Sequence, residues 1–156
     1  MLKKFAYGLI LSAVIMACNN ETDSHNHHSG MEPKTHEDSV YKDVMDGHNV
    51  VMPKMGKVKG YIALAQQQLD SLQKLPEKAK QAAAGYKASL DSLIKDLKEA
   101  DRSMTVWMDE FVPDSLADEL DKRVAYLESE KIKVNIVRDN ILGSLEKAEK
   151  LLGRKE

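Results

Sequence analysis

Between Ala79 and Phe111 an apolar residue recurs at every third or fourth position: Ala79, Ala83, Tyr86, Leu90, Leu93, Leu97, Ala100, Met104, Trp107 and Phe111. Steps alternating between four and three place all of these side chains on one face of an α-helix, whereas a strand would need a period of two. Sustained over this length, the pattern is a heptad seam that must be covered by other helices. Only 5% of the chain is aromatic, so the core is expected to be a narrow seam between rods rather than a broad interior.

The flanking stretches supply two partners. Thr35-His36-Glu37-Asp38 fits a capping pattern that opens a helix near Glu37. Tyr41, Met45, His48, Met52 and Met55 then follow at steps of 4, 3, 4 and 3. After Gly56 the stripe slips and continues through Val58, Ile62, Ala65, Leu69 and Leu72 to about Lys74. Pro53 cannot donate to the carbonyl of Asn49, so a kink or bulge is expected there. Gly56 and Gly60 read either as a close backbone approach or as plain helix weakness.

Leu75-Pro76-Glu77 reads as a tight turn, and Val112-Pro113-Asp114 ends the second helix. Ser115-Leu116-Ala117-Asp118 then reads as the cap of a third helix. That helix carries Leu116, Leu120, Val124, Leu127, Val134, Ile141, Leu145 and Ala148, and frays at Gly153. At about 1.5 Å per residue the three helices are each roughly 50–58 Å long. Their short connections force neighbours antiparallel, so residues 37–156 are expected to form an all-α, up-down-up three-helix bundle or long coiled coil.

The first 36 residues differ in kind. Met1-Leu2-Lys3-Lys4 is a basic start, and Phe5 to Ala17 is apolar but too short to span a bilayer. Ile15-Met16-Ala17-Cys18 resembles the lipobox of bacterial lipoproteins, with Met16 departing from the small residue preferred there. Residues 1–17 are therefore expected to be a lipoprotein signal peptide, with Cys18 as the lipidated residue. This implies an exported, membrane-anchored protein, with the outer membrane favoured because Asn19 follows the cysteine, facing the periplasm or the exterior. Cys18 is the only cysteine, so the chain beyond it has no thiol chemistry.

Residues 18–36 are expected to be a disordered, His-rich tether. His25, His27 and His28 could collect divalent metal loosely, or could simply be a polar spacer. Leaving out Lys3 and Lys4, the remaining 21 basic and 25 acidic residues give −4. No basic face for nucleic acid is expected from that balance.

One constellation suggests chemistry. Folding the first hairpin at residues 75–76 sets residue i opposite residue 151 − i, which brings Met45 near Val106 and His48 near Ser103. Met104 and Trp107 then join Met45, His48 and Met52 in one layer. Thioethers and an imidazole suit Cu(I) or Ag(I), and an indole face can shield a monovalent cation. Periplasmic copper and silver chaperones use a similar set of residues on a different fold. The same side chains also serve as core packing, with methionine filling the irregular seam at Pro53 and His48 reaching the carbonyl of Asn49.

The string His48-Asn49-Val50-Val51-Met52-Pro53-Lys54-Met55-Gly56 resembles one found in small exported lipoproteins of flavobacteria-like genomes, often labelled viral A-type inclusion protein. The resemblance covers the helical part of the chain, implies an exported lipoprotein, and carries no activity with it. Catalysis is not expected either, because the carboxylates alternate with lysines, as in Lys95-Asp96-Leu97-Lys98-Glu99. The sequence thus points to a non-catalytic, lipid-anchored binding or spacer module of the cell envelope. A helical partner or self-association is the expected interaction, and soft-metal binding is the alternative function.

Overall fold

The computed structural model describes residues 34–153, all of them in one compact unit; the signal-peptide, Cys18 and His25/His27/His28 expectations lie outside these residues. The order of elements is α1 (His36–Val51), a 3-10 turn (Met52–Lys54), α2 (Met55–Gln73), α3 (Glu77–Ala82), α4 (Ala84–Glu110) and α5 (Leu120–Leu152). Together they make three rods, α1–α2, α3–α4 and α5, and no strand occurs among the described residues. The fold is an all-α bundle.

The ends of the rods follow from local chemistry. Thr35 accepts from the backbone N–H of Asp38, while the Asp38 carboxylate accepts from the backbone N–H of Thr35. This reciprocal box satisfies two donors that a helix start otherwise leaves open. Pro76 precedes the first residue of α3. At the far end Gly153 takes a left-handed conformation, φ 68°, and closes α5. α4 stops at Glu110 because Val112, before Pro113, is pushed out of the helical region.

Ion pairs and contacts fix the directions. Lys131 of α5 reaches Asp43 of α1 at 3.0 Å, and Lys57 of α2 reaches Glu149 of α5 at 2.9 Å. Numbers rise together in these pairs, so the first and third rods run parallel. Lys147 bonds Asp96 at 2.7 Å and Trp107 bonds Glu130 at 3.0 Å, so α4 and α5 run antiparallel. In the first hairpin, His48 lies beside Trp107 and Lys59 beside Asp101. Their numbers sum to 155 and 160 rather than 151. The second rod is thus displaced from the expected register by about one to two and a half helical turns, the chain breaking helix again at Ala83 after the turn at residues 74–76.

Pro53 produces the expected distortion. The helix tightens into a 3-10 turn and resumes as α2. α1 packs mainly on α5, whereas α2 packs mainly on α4. The kink therefore passes the first rod from one neighbour to the other.

Two expectations are corrected. The buried stripe of the first rod is Val40, Val44, Gly47, Val51, Met55, Val58, Tyr61, Ala65 and Leu69. Tyr41, Met45 and His48 lie on its flank, half-buried, and Met52 is exposed. The apolar sector of α1 is wide enough to offer two stripes, and the smaller residues win because they let α5 come close. The third helix begins at Leu120, not at Ser115. Residues 113–118 form turns instead, with Leu116 at φ 59° and both Leu116 and Leu120 exposed.

Gly47 marks the closest approach. A Cβ there would meet Val134 Cγ1 at 2.9 Å and Asn135 Oδ1 at 3.4 Å. Val134 is fully buried and stiff at χ1, so it cannot give way cheaply. Gly56 and Gly60, in contrast, would place a Cβ in open space, which makes them plain weak points of α2. In urea denaturation, Gly47→Ala is expected to lose about 1–2 kcal/mol, overpacking outweighing the gain in helix propensity. Gly60→Ala is expected to gain roughly 0.5–1 kcal/mol.

Candidate functional site

Chemistry-bearing side chains gather where the start of α1, the end of α4 and the start of α5 meet. Trp107 is buried in α4, and its ring stacks on Phe111 with centroids 5.0 Å apart and planes at 13°. Phe111 in turn lies parallel to Tyr126 of α5 at 6.3 Å and faces Tyr41 of α1 at 6.4 Å. On the other side His48 approaches Trp107 at 5.8 Å. Offset aromatic pairs at these separations are each worth about 0.5–1.5 kcal/mol beyond their buried area.

The indole N–H of Trp107 donates to Glu130 Oε2 at 3.0 Å. Glu130 is only 2% exposed. Its other oxygen, Oε1, accepts from Lys133 Nζ at 2.7 Å, one turn further along α5. That hydrogen bond holds the Lys133 ammonium above its ordinary range. A carboxylate in a seam is costly unless its oxygens are matched, and here both are.

Glu130 is the residue that the periodicity reading missed. The signal was present: Leu127, Glu130, Val134, Val137, Ile141 and Ser144 keep the heptad steps of α5, so an acidic residue stands at a seam position. A lone tryptophan in the facing helix was the matching donor.

Arg123 closes the same end. Its Nε donates to Glu37 Oε1 in the first turn of α1, and its Nη1 donates to the carbonyls of Pro113 at 2.8 Å and Ser115 at 2.9 Å. The Tyr126 hydroxyl accepts from the backbone N–H of Val112 at 2.9 Å. These bonds draw the α4–α5 connection into turns around the guanidinium, which is why the helix cannot start at Ser115.

Of the expected metal-binding residues, the structure brings His48 and Trp107 together. Met45 lies one turn before His48 on the same half-buried flank. Met52 is 39% exposed in the 3-10 turn, while Met104 is buried in the core on the seam of α4. His48 Nδ1 sits 3.0 Å from Asn49 Oδ1, so its partner is the side-chain amide and not the backbone carbonyl. Among the described residues no three His, Cys, Asp or Glu side chains converge as metal ligands. Each buried side-chain nitrogen or oxygen among them has a hydrogen-bond partner.

Comparison with family models, with curated proteins and with solved structures gives no match to this chain.

The Trp107–Glu130 bond makes a direct test of what holds this end together. Glu130→Ala leaves a buried indole N–H without an acceptor and opens a cavity, and is expected to lose about 3 kcal/mol in chemical denaturation. Glu130→Gln keeps an acceptor for Trp107 and should lose about 1 kcal/mol, with most of the deficit from the weaker Lys133 contact.

Proposed function

We propose that this protein is a lipid-anchored module of the cell envelope that acts by position and binding, not by catalysis. The observation that carries the reading is the internal engagement of its convergent polar groups. Glu130 holds Trp107 and Lys133, and Arg123 holds Glu37, Pro113 and Ser115. Groups of this kind at an active site would converge on a reacting atom; these converge on each other and fasten three rods. The fastened end is the one where α1 begins, 18 residues after Cys18. A lipid on Cys18 would hold the bundle at that end, and a tether of such composition would let it stand off a membrane, most simply the outer one.

Labelled palmitate is expected to enter the wild-type chain and not Cys18→Ala. Equal incorporation in both would refute anchoring through Cys18.

A second reading, capture of Cu(I) or Ag(I), is favoured by the approach of His48 to Trp107 at 5.8 Å. Met45 and Met52 stand one turn to either side of His48, and both reach the surface of α1 or its kink. Met104, buried in the seam, would take part only if α4 moved. Ag(I) titration followed by emission of Trp107, the only tryptophan, tests this reading. Saturable quenching at one equivalent, lost in His48→Ala, is expected for a site. An unchanged signal, with Met45→Leu and Met52→Leu fully tolerated, assigns these side chains to packing alone.

A further inference from the structure

His48 has a feature of a ligating imidazole that packing on the flank of α1 does not require. Its Nδ1 lies 3.0 Å from Asn49 Oδ1, an acceptor, so Nδ1 carries the ring proton and the lone pair is left on Nε2. Metal-binding histidines are set up in this way, one nitrogen held by a neighbouring acceptor so that the other is free to ligate.

Two thioethers reach solvent near it. The backbone N–H of Met52 bonds the carbonyl of His48, so these two side chains are neighbours one helical turn apart on the same face. Met52 is 39% exposed. Across the seam, Met108 of α4 is 43% exposed. It stands seven residues beyond Asp101 and so at the same heptad position, and Asp101 reaches Lys59 of the first rod at 3.8 Å. Met108 is therefore on the flank of α4 that faces the first rod. Its level follows from the two cross-rod contacts. His48 beside Trp107 sets residue i of α4 opposite 155 − i, and Lys59 with Asp101 sets it opposite 160 − i, which brackets Met108 between residues 47 and 52. That interval contains His48 and ends at Met52.

Burial divides the methionines into two kinds. Met55 and Met104 fill the core, and packing accounts for them. Met52 and Met108 stand on the two lips of the seam between α1 and α4, which is lightly packed because α1 lies mainly on α5 and α2 mainly on α4.

We propose that His48 Nε2 and the thioethers of Met52 and Met108 form a solvent-open Cu(I) or Ag(I) site that bridges α1 and α4, with Met104 left as core packing. The inference rests on the reading of this end as a soft-metal site and changes its composition. The ligand from α4 is the exposed methionine, and α4 need not move to supply it. One imidazole and two thioethers are neutral, soft donors, which favour a soft monovalent ion over hard or strongly hydrated divalent ones. An ion held by them has two ligands on the first rod and one on the second, so it clips together the seam that side-chain packing leaves light.

The test uses the full chain in mild detergent, carrying Cys18→Ser, His25→Gln, His27→Gln and His28→Gln so that neither a thiol nor the tether competes for the ion. Methionine is labelled with ¹³C at the ε-methyl, and Ag(I) is added to one equivalent. The signals of Met52 and Met108, assigned by single Met→Leu variants, are expected to shift and saturate together, with those of Met55 and Met104 unmoved. Met108→Leu should weaken Ag(I) binding at least about tenfold, and Met104→Leu less than about twofold. Met108 is exposed and the swap nearly conserves volume, so circular dichroism of Met108→Leu is expected to match the parent. A shift at Met104 with Met108 unmoved would overturn this ligand set and leave soft-metal capture standing. Ag(I) that moves none of these methyl signals overturns the site and the capture reading together. Equal shifts on adding Zn²⁺ instead would overturn the assignment to a soft ion.

Discussion

The hydrogen bond from Trp107 to Glu130 is the constraint to which the rest of the bundle's end, where α1 begins, conforms. A heptad seam made only of aliphatic residues packs almost as well one turn out of step, because leucine, valine and isoleucine exchange places at small cost. A buried carboxylate removes that freedom. Glu130 must meet the indole N–H or stand unmatched in the core, and a shift of one turn would cost about 1–3 kcal/mol for each orphaned group. The ring of Trp107 then fixes Phe111 by stacking, and Phe111 fixes Tyr126 and Tyr41. Register along the seam and closure of the bundle's end thus follow from one polar pair, the role best attested for buried polar groups in coiled coils.

A second constraint comes from Gly47 and Pro53, in the last turns of α1 and just beyond its C-terminal end. Gly47 lets the backbone of α1 sit against Val134 of α5. Four residues after Val51 the helix has been turned by the 3-10 segment, and Val58, Tyr61, Ala65 and Leu69 of α2 are buried where the rod packs mainly on α4. A straight first rod could not do both, since an ideal helix drifts steadily around a seam that repeats every seven residues. The kink resets the phase, and its trace in the buried stripe is the two successive four-residue steps Gly47–Val51–Met55 that span Pro53.

Much of this was legible in the sequence, for reasons that can be assigned residue by residue. The α4 seam from Leu90 to Trp107 was readable because its steps are regular and one face alone is apolar. Thr35 and Asp38 announced the start of α1, and Val112-Pro113 the end of α4, through local chemistry that needs no tertiary partner. The seam of α1 was displaced by one position because valine and methionine stripes lie side by side there. Only the neighbour, through Gly47 and Val134, decides between them. Ser115 carried a convincing cap pattern that lost to Arg123, whose partners come from α1 and from the α4–α5 connection. Long-range polar ties of this kind leave no periodic signal, and Glu130 was hidden by the same rule in reverse: an acidic residue among many, distinguished only by its phase.

The candidate site was legible in part for the same reason. Spacing placed His48 and Trp107 in one layer, and they are neighbours even though the hairpin register differs by about one turn from the simplest folding. That tolerance has a physical source: an imidazole and an indole reach across several ångströms, so a ring pair survives an offset that would separate two thioethers. The methionines divide accordingly. Met104 follows its seam into the core, Met52 follows the kink to the surface, and Met45 stays on the flank beside His48. Soft-donor chemistry at this end would therefore be built on the exposed edge of α1, beside Trp107 and outside the Glu130 tie, and the tie that sets the bundle's register need not break for an ion to be held there.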